Sequence, residues 1–196
     1  MQSNFLRVCY AKVSYDTDSI FIEFKGCDRD TAFKRAYEMV DAISASNPHP
    51  IKMKFEKIYQ PCVLQTKKRY CGFKYESPDQ VKPEFEAKGI ETVRRDCCPA
   101  AARMLEMALR IQFTTRDVEQ VKKYCQHQFV KIMSGKLSNI QDFIFARQYK
   151  PRDMEKTESV FVPAWRIADY YITKIICPTL NRVFCTMKID PVYTGP

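Results

Sequence analysis

The apolar period of the sequence changes at Pro99, and this limits the fold more than any other feature. Before Pro99, β-branched and aromatic residues come in short runs interrupted by one helical stripe; after it, helical stripes follow one another. Val13 and Ile20-Phe21-Ile22-Glu23-Phe24 flank the polar stretch Tyr15 to Ser19, which predicts two strands meeting at a turn. Asp28 or Asp30 caps a helix carrying Phe33, Ala36, Tyr37, Val40 and Ile43. Asn47-Pro48-His49-Pro50 stops that helix. Strand patterning returns from Ile51 to Glu76, through Met53, Phe55, Ile58, Tyr59, Val63 and Leu64, until Ser77-Pro78-Asp79 signals a turn. A short segment from Phe85 to Asp96 follows.

Pro99 suits a helix first turn, and Ala101, Leu105, Ala108, Leu109, Ile111 and Phe113 form an apolar stripe that reads as core. Asp117 opens a second helix through Val121, Cys125, Phe129 and Ile132, which Ser134-Gly135 ends. Gln141 to Tyr149 reads equally as strand or short helix, and Lys150 to Ser159 as a polar linker. A last helix is expected from Ala164 to Met187, kinked at Pro178. Strands with one helix followed by helices give an α+β chain.

Composition excludes several classes. With 45% hydrophobic and 28% charged residues, five glycines and no low-complexity tract, the 196-residue chain reads as a globular protein, not a linker. No apolar run approaches the roughly 20 residues of a membrane span, and Met1 to Tyr10 lacks the pattern of a signal peptide, so an intracellular protein with no membrane partner is expected. The nine cysteines form no Cys-x-x-Cys pair, and His49 and His127 are the only histidines. That argues for free thiols in a reducing compartment over a metal site. The net charge of +9 favours a polyanionic partner such as nucleic acid.

Asp16 and Asp18 are the sharpest chemical feature. Residues two apart in an extended chain project to the same side, so their carboxylates converge. Two such anions repel unless hydrogen bonds or a cation offset them, and a hard divalent ion such as Mg²⁺ suits oxygen ligands. A solvated hairpin turn is the alternative, since Asp and Ser are common turn residues. The run Lys67-Lys68-Arg69 would neutralise phosphates without reading sequence, with Tyr70 as a flat hydrogen-bonding surface; a solvated strand face is its alternative.

Three segments, in order, carry a family resemblance. Tyr15-Asp16-Thr17-Asp18-Ser19 resembles the Tyr-Gly-Asp-Thr-Asp-Ser palm motif of family B DNA polymerases. Lys67-Lys68-Arg69-Tyr70 resembles that family's Lys-Lys-Arg-Tyr motif. Lys88-Gly89-Ile90-Glu91-Thr92-Val93-Arg94-Arg95-Asp96 resembles the passage from palm to thumb. Arg95-Asp96-Cys97-Cys98-Pro99-Ala100, Ile140-Gln141-Asp142-Phe143-Ile144-Phe145-Ala146 and Tyr170-Tyr171-Ile172-Thr173-Lys174 are most similar to a translesion member of the family.

The resemblance implies a partial palm of antiparallel strands and a helix over 1–95, thumb helices over 96–150, a linker over 151–163, and a C-terminal thumb helix and tail over 164–196. It implies a DNA-directed DNA polymerase, a nucleotidyltransferase active in DNA repair and replication in the nucleus. Asp18 matches the carboxylate that ligates the catalytic metals, and Asp16 its neighbour near the ions, in a two-metal Mg²⁺ site. Lys67, Lys68, Arg69 and Tyr70 match the motif along the minor groove of the new duplex. Lys88, Arg94 and Arg95 match positions gripping the primer-strand backbone, although either arginine could pair with Glu91 or Asp96 instead. Primer–template DNA, deoxynucleoside triphosphates and accessory subunits are the implied partners. An iron–sulfur cluster and zinc are implied only for the full-length family member.

The chain departs from the family pattern at several points. The glycine before Asp16 is absent, which shifts strand register and side-chain facing. No counterpart of the upstream palm aspartate or of the nucleotide-holding fingers helix precedes Val13, and the stretch between Tyr149 and Tyr170 is short. Catalysis needs both carboxylate walls and a clamped triphosphate, so the polypeptide as written is expected not to extend a primer. A non-catalytic duplex-binding module and, more remotely, an unrelated Mg²⁺-dependent nuclease are the rival readings.

Overall fold

A computed structural model describes residues 19–24, 26–136, 139–144 and 164–187, with the side chains of 164–166 excepted. These residues form an α+β structure with a three-stranded antiparallel sheet. Its strands are β1 (Ile58–Thr66), β2 (Arg69–Tyr75) and β3 (Glu84–Lys88), hydrogen-bonded in the order β1-β2-β3. Proline cannot donate to a ladder, and Pro61 is accommodated because β1 takes an outer position in this order. β2, flanked on both sides, buries Cys71, Gly72 and Phe73.

The chain divides into two compact units, residues 1–60 with 73–84 and residues 61–72 with 85–196. In the first, α1 (Arg29–Ser46) begins at Asp28, whose carboxylate accepts from the Thr31 amide at 3.2 Å. That hydrogen bond, which favours the charged form, holds the Asp28 carboxyl below its ordinary range. α1 ends at Asn47, as the Pro48 signal predicts. Phe33 is buried against Phe55, with ring centroids 5.5 Å apart, and Tyr37 lies 4.9 Å from the same ring. Arg29 stacks its guanidinium 4.7 Å from the Tyr75 ring and donates to the Gln80 carbonyl at 3.1 Å.

The second unit holds the larger core. α2 (Pro99–Thr115) starts with proline in its first turn, where a missing N–H costs nothing. Arg116, in the left-handed region at φ 57°, reverses the chain, and Asp117 caps α3 (Val118–Met133) by accepting from the Glu119 amide at 2.9 Å. Leu105 and Leu109 of α2 and Val121 and Cys125 of α3 are fully buried. The C-terminal helices α4 (Ala164–Tyr170) and α5 (Cys177–Phe184), with the segment between them, pack on the same pair, burying Ile176, Leu180, Val183 and Phe184. A 3₁₀ turn over Ile140–Phe143 is tied in by Arg103 Nη1 to Asp142 Oδ2 at 2.6 Å and by the Tyr171 hydroxyl donating to the Phe143 carbonyl at 2.6 Å. Every described cysteine is a free thiol, and Cys71, Cys98, Cys125 and Cys177 are buried as small apolar groups.

Three expectations change. Ser19 to Phe24 carries no regular strand among the described residues, nor do residues 51–57, and the Val13 arm of the expected strand pair lies outside the described residues. At Pro178 the structure adds a feature that the expected kink did not include. The helix widens over Tyr171–Ile176 into a π segment, in which the Cys177 amide bonds back to Ile172. Proline has no N–H to give, and its ring crowds the carbonyl of Lys174 four residues earlier; the wider turn ahead of it relieves both. Gln141 to Tyr149, which read as strand or short helix, begins within the 3₁₀ turn, and its residues from 145 lie outside the described set.

Candidate nucleic-acid interface

A two-residue turn, Lys67–Lys68, joins β1 to β2, with Lys68 in the left-handed region at φ 59°. Both lysines are exposed at the tip of the hairpin. Arg69 and Tyr70 open β2, and Lys88 closes β3, the next strand of the sheet. The Lys88 ammonium stands 6.0 Å from the centroid of the Tyr70 ring and 3.8 Å from Glu86.

Gly89 explains how the two basic segments meet. It sits at φ 67°, and a β-carbon there would stand 2.1 Å from the Lys68 carbonyl oxygen. The backbone following β3 therefore lies directly against the lysine turn. Glycine is the residue whose shape permits both that approach and that φ.

Glu91 sits two residues further on and is 4% exposed. Its Oε1 accepts from Arg69 Nη2 at 2.7 Å and from Arg182 Nη1 of α5. Burial pushes the Glu91 carboxyl up, but the hydrogen bonds from Arg182 and Arg69 outweigh it and hold the group below its ordinary range. Gln65 Nε2 donates to the Arg182 carbonyl at 2.9 Å, tying the end of β1 to the same helix.

The sequence-predicted residues thus divide. Lys67, Lys68, Arg69, Tyr70 and Lys88 come together at one end of the sheet. Arg69 is turned inward to Glu91 and retains 25% side-chain exposure. Arg94 engages Asp96 through two bonds, Nε–Oδ1 at 2.8 Å and Nη2–Oδ2 at 2.5 Å, the pairing that the sequence left open. Arg95 is exposed beside it. Asp16 and Asp18 lie outside the described residues. Among the described residues no three His, Cys, Asp or Glu side chains converge on a point that could hold a metal ion, so no step through a metal is derived from the geometry. No described helix is long and apolar enough to cross a membrane.

Sequence reasoning missed Glu91 as an organising group and missed Arg182 altogether. An acid inside the basic stretch Lys88 to Arg95 was the available signal for the first. Nothing local marks the second, since 91 residues separate it from Glu91.

A short, exposed basic turn backed by a glycine, with a lysine beside a tyrosine ring, stands at one end of the sheet, and comparison with known proteins gives the family of the chain. Residues 4–176 match the profile of DNA polymerase family B, and the chain belongs to that family. It is 42% identical over 231 residues to the DNA polymerase zeta catalytic subunit of Mus musculus, covering 92% of this chain and 7% of that protein. The zeta subunit of Saccharomyces cerevisiae is 50% identical over 141 residues, 71% of this chain and 9% of that protein. The DNA polymerase delta catalytic subunit of Schizosaccharomyces pombe is 35% identical over 191 residues, 91% of this chain and 17% of that protein. The chain is thus more similar to these zeta subunits than to this delta subunit, and it spans less than a tenth of the zeta subunits' length.

Proposed function

We propose that this chain is the part of a DNA-directed DNA polymerase that grips the primer–template duplex, with Lys67, Lys68, Tyr70 and Lys88 along the duplex backbone. The observation that carries the reading is the contact of Gly89 with the Lys68 carbonyl, which brings two basic segments, separated by about twenty residues of chain, to one end of the sheet. Lysine contacts to phosphate position a duplex without reading its bases, as an enzyme that copies any template requires. Arg94 and Arg95 are assigned to the primer-strand backbone, Arg94 exchanging its Asp96 partner for phosphate on binding. The palm is assigned to 1–95 and the thumb to 96–150 and 164–196.

Asp16 and Asp18 are assigned as ligands of Mg²⁺, on the chemistry of their donor set: two hard carboxylates at a spacing that suits a hard divalent ion. When bound, such ions neutralise charge developing on the attacking and leaving oxygens of phosphoryl transfer. Deoxynucleoside triphosphates as substrates, accessory subunits as partners and a nuclear location follow from the family assignment.

Binding of a primer–template duplex, followed by fluorescence anisotropy from 50 to 200 mM salt, tests the grip. Each phosphate contact contributes about 0.9 to the slope of log K against log salt, so Lys67→Ala/Lys68→Ala is expected to flatten it by about 1.8. An unchanged slope would remove the hairpin from the interface. Primer extension with Mg²⁺ separates the two readings of the chain. Extension abolished by Asp18→Ala makes it a polymerase in its own right; salt-sensitive binding without extension is the behaviour of a duplex-binding module, and the expectation that the chain does not extend a primer rests on that outcome.

A further inference from the structure

Glu91 takes two arginines from opposite ends of the second unit on one oxygen, while its own Oε2 and the Nε of Arg69 are buried without a hydrogen-bond partner among the described residues. A buried ion cluster with unmet hydrogen bonds is a poor source of stability, because desolvation offsets much of the Coulomb gain. What such a cluster does supply is a fixed position for each guanidinium. The two positions differ. Arg69 is turned inward, whereas Arg182 is 51% exposed in its side chain. Arg182 is also held through its main chain, by the Gln65 donor just before the lysine turn. A guanidinium carries five donors in a rigid fork, so one nitrogen on Glu91 leaves others to meet a phosphate. Two guanidinium charges face one carboxylate, so the cluster keeps a net positive charge, and the exposed part of Arg182 presents it to an anion.

We infer that Arg182 is a further contact to the duplex backbone, beside the lysine turn, and that Glu91 is the positioning residue that aims it. The inference rests on the reading of the hairpin as the duplex grip. The trio then has a division of labour: Arg69 balances the buried carboxylate, Glu91 fixes the fork, and Arg182 meets the phosphate. The contact would join the last turn of α5 to the strand segments that hold the DNA, so that duplex binding and docking of the C-terminal helix support each other.

The 196-residue chain and a fluorescein-labelled primer–template duplex test this by anisotropy across salt. Arg182→Ala and Arg182→Gln, the second keeping a donor for Glu91, are each expected to flatten the salt slope by about 0.9, while Arg182→Lys retains it. Glu91→Gln raises the net charge by one, so an effect of charge alone would tighten binding. A positioning role predicts several-fold weaker binding with near-ultraviolet circular dichroism unchanged. An unchanged slope in both neutral Arg182 variants, with Lys67→Ala/Lys68→Ala still flattening it, overturns the inference and leaves the hairpin reading intact. A slope that falls with Arg182 but not with the lysine pair overturns the hairpin reading and keeps Arg182 as a contact. Tighter binding by Glu91→Gln removes the positioning role.

Discussion

Substituting Gly89 by alanine perturbs the contact on which the proposed duplex grip depends. The added β-carbon would stand 2.1 Å from the Lys68 carbonyl oxygen, about 1 Å inside the closest approach real β-carbons make. The obstacle is backbone, not the end of a flexible side chain, so the lysine turn must shift as a whole. Forcing a β-carbon into the left-handed region costs about 1–2 kcal/mol, and overpacking against fixed neighbours adds about 1–3 kcal/mol. Gly135→Ala provides the control. Gly135 has nearly the same φ, 68°, at the end of α3, but a β-carbon there meets nothing within 4 Å. It should bear the conformational cost alone. By differential scanning calorimetry, Tm is expected to fall by about 4–20 °C for Gly89→Ala and by about 2–8 °C for Gly135→Ala, at about 2–4 °C per kcal/mol for a chain of this size, with the larger loss at Gly89. Duplex affinity should fall for Gly89→Ala and hold for Gly135→Ala. Equal losses of Tm with equal affinities would show that the turn yields freely and that the Gly89 contact does not organise the interface.

Three further outcomes follow from the packing and the charges. The Glu91 carboxyl is held below its ordinary value of 4.5 in the folded state, so its contribution to stability is present above that value and is lost as pH falls through the lowered one. Chemical denaturation between pH 3 and 7 (a working range set by ordinary carboxylate titration) should therefore show a shallower acid decline in Glu91→Gln than in the parent; identical declines would refute the assignment. Asp117→Ala removes the bond to the Glu119 amide at the start of α3 and should cost about 1 kcal/mol in urea unfolding, with Asp117→Asn recovering most of it. Leu105→Ala empties a fully buried position of α2 and should cost about 2–5 kcal/mol by the same measurement.

Much of this was legible in the sequence because its causes are local. Asp28, Pro99, Asp117 and Gly135 place the ends of three helices through contacts within a few residues, which a periodic pattern and a capping residue reveal together. The family is legible for a similar reason, since three short motifs keep their order along the chain. The Ile20–Phe24 run shows the limit. Its composition suits a strand, but composition carries no information on whether a partner lies alongside.

What only the tertiary structure decided is which basic residues share a surface, and in which direction each is turned. Lys67, Lys68 and Lys88 read as two separate basic segments until Gly89 is seen against the Lys68 carbonyl. Arg69 and Arg182, identical in charge, differ because one is turned into the molecule and the other is left half exposed by the same buried carboxylate. Capping and periodicity act over three or four residues and leave a trace in the sequence. A buried ion cluster closed across 91 residues leaves none, because its energy depends on where the folded backbone brings its members.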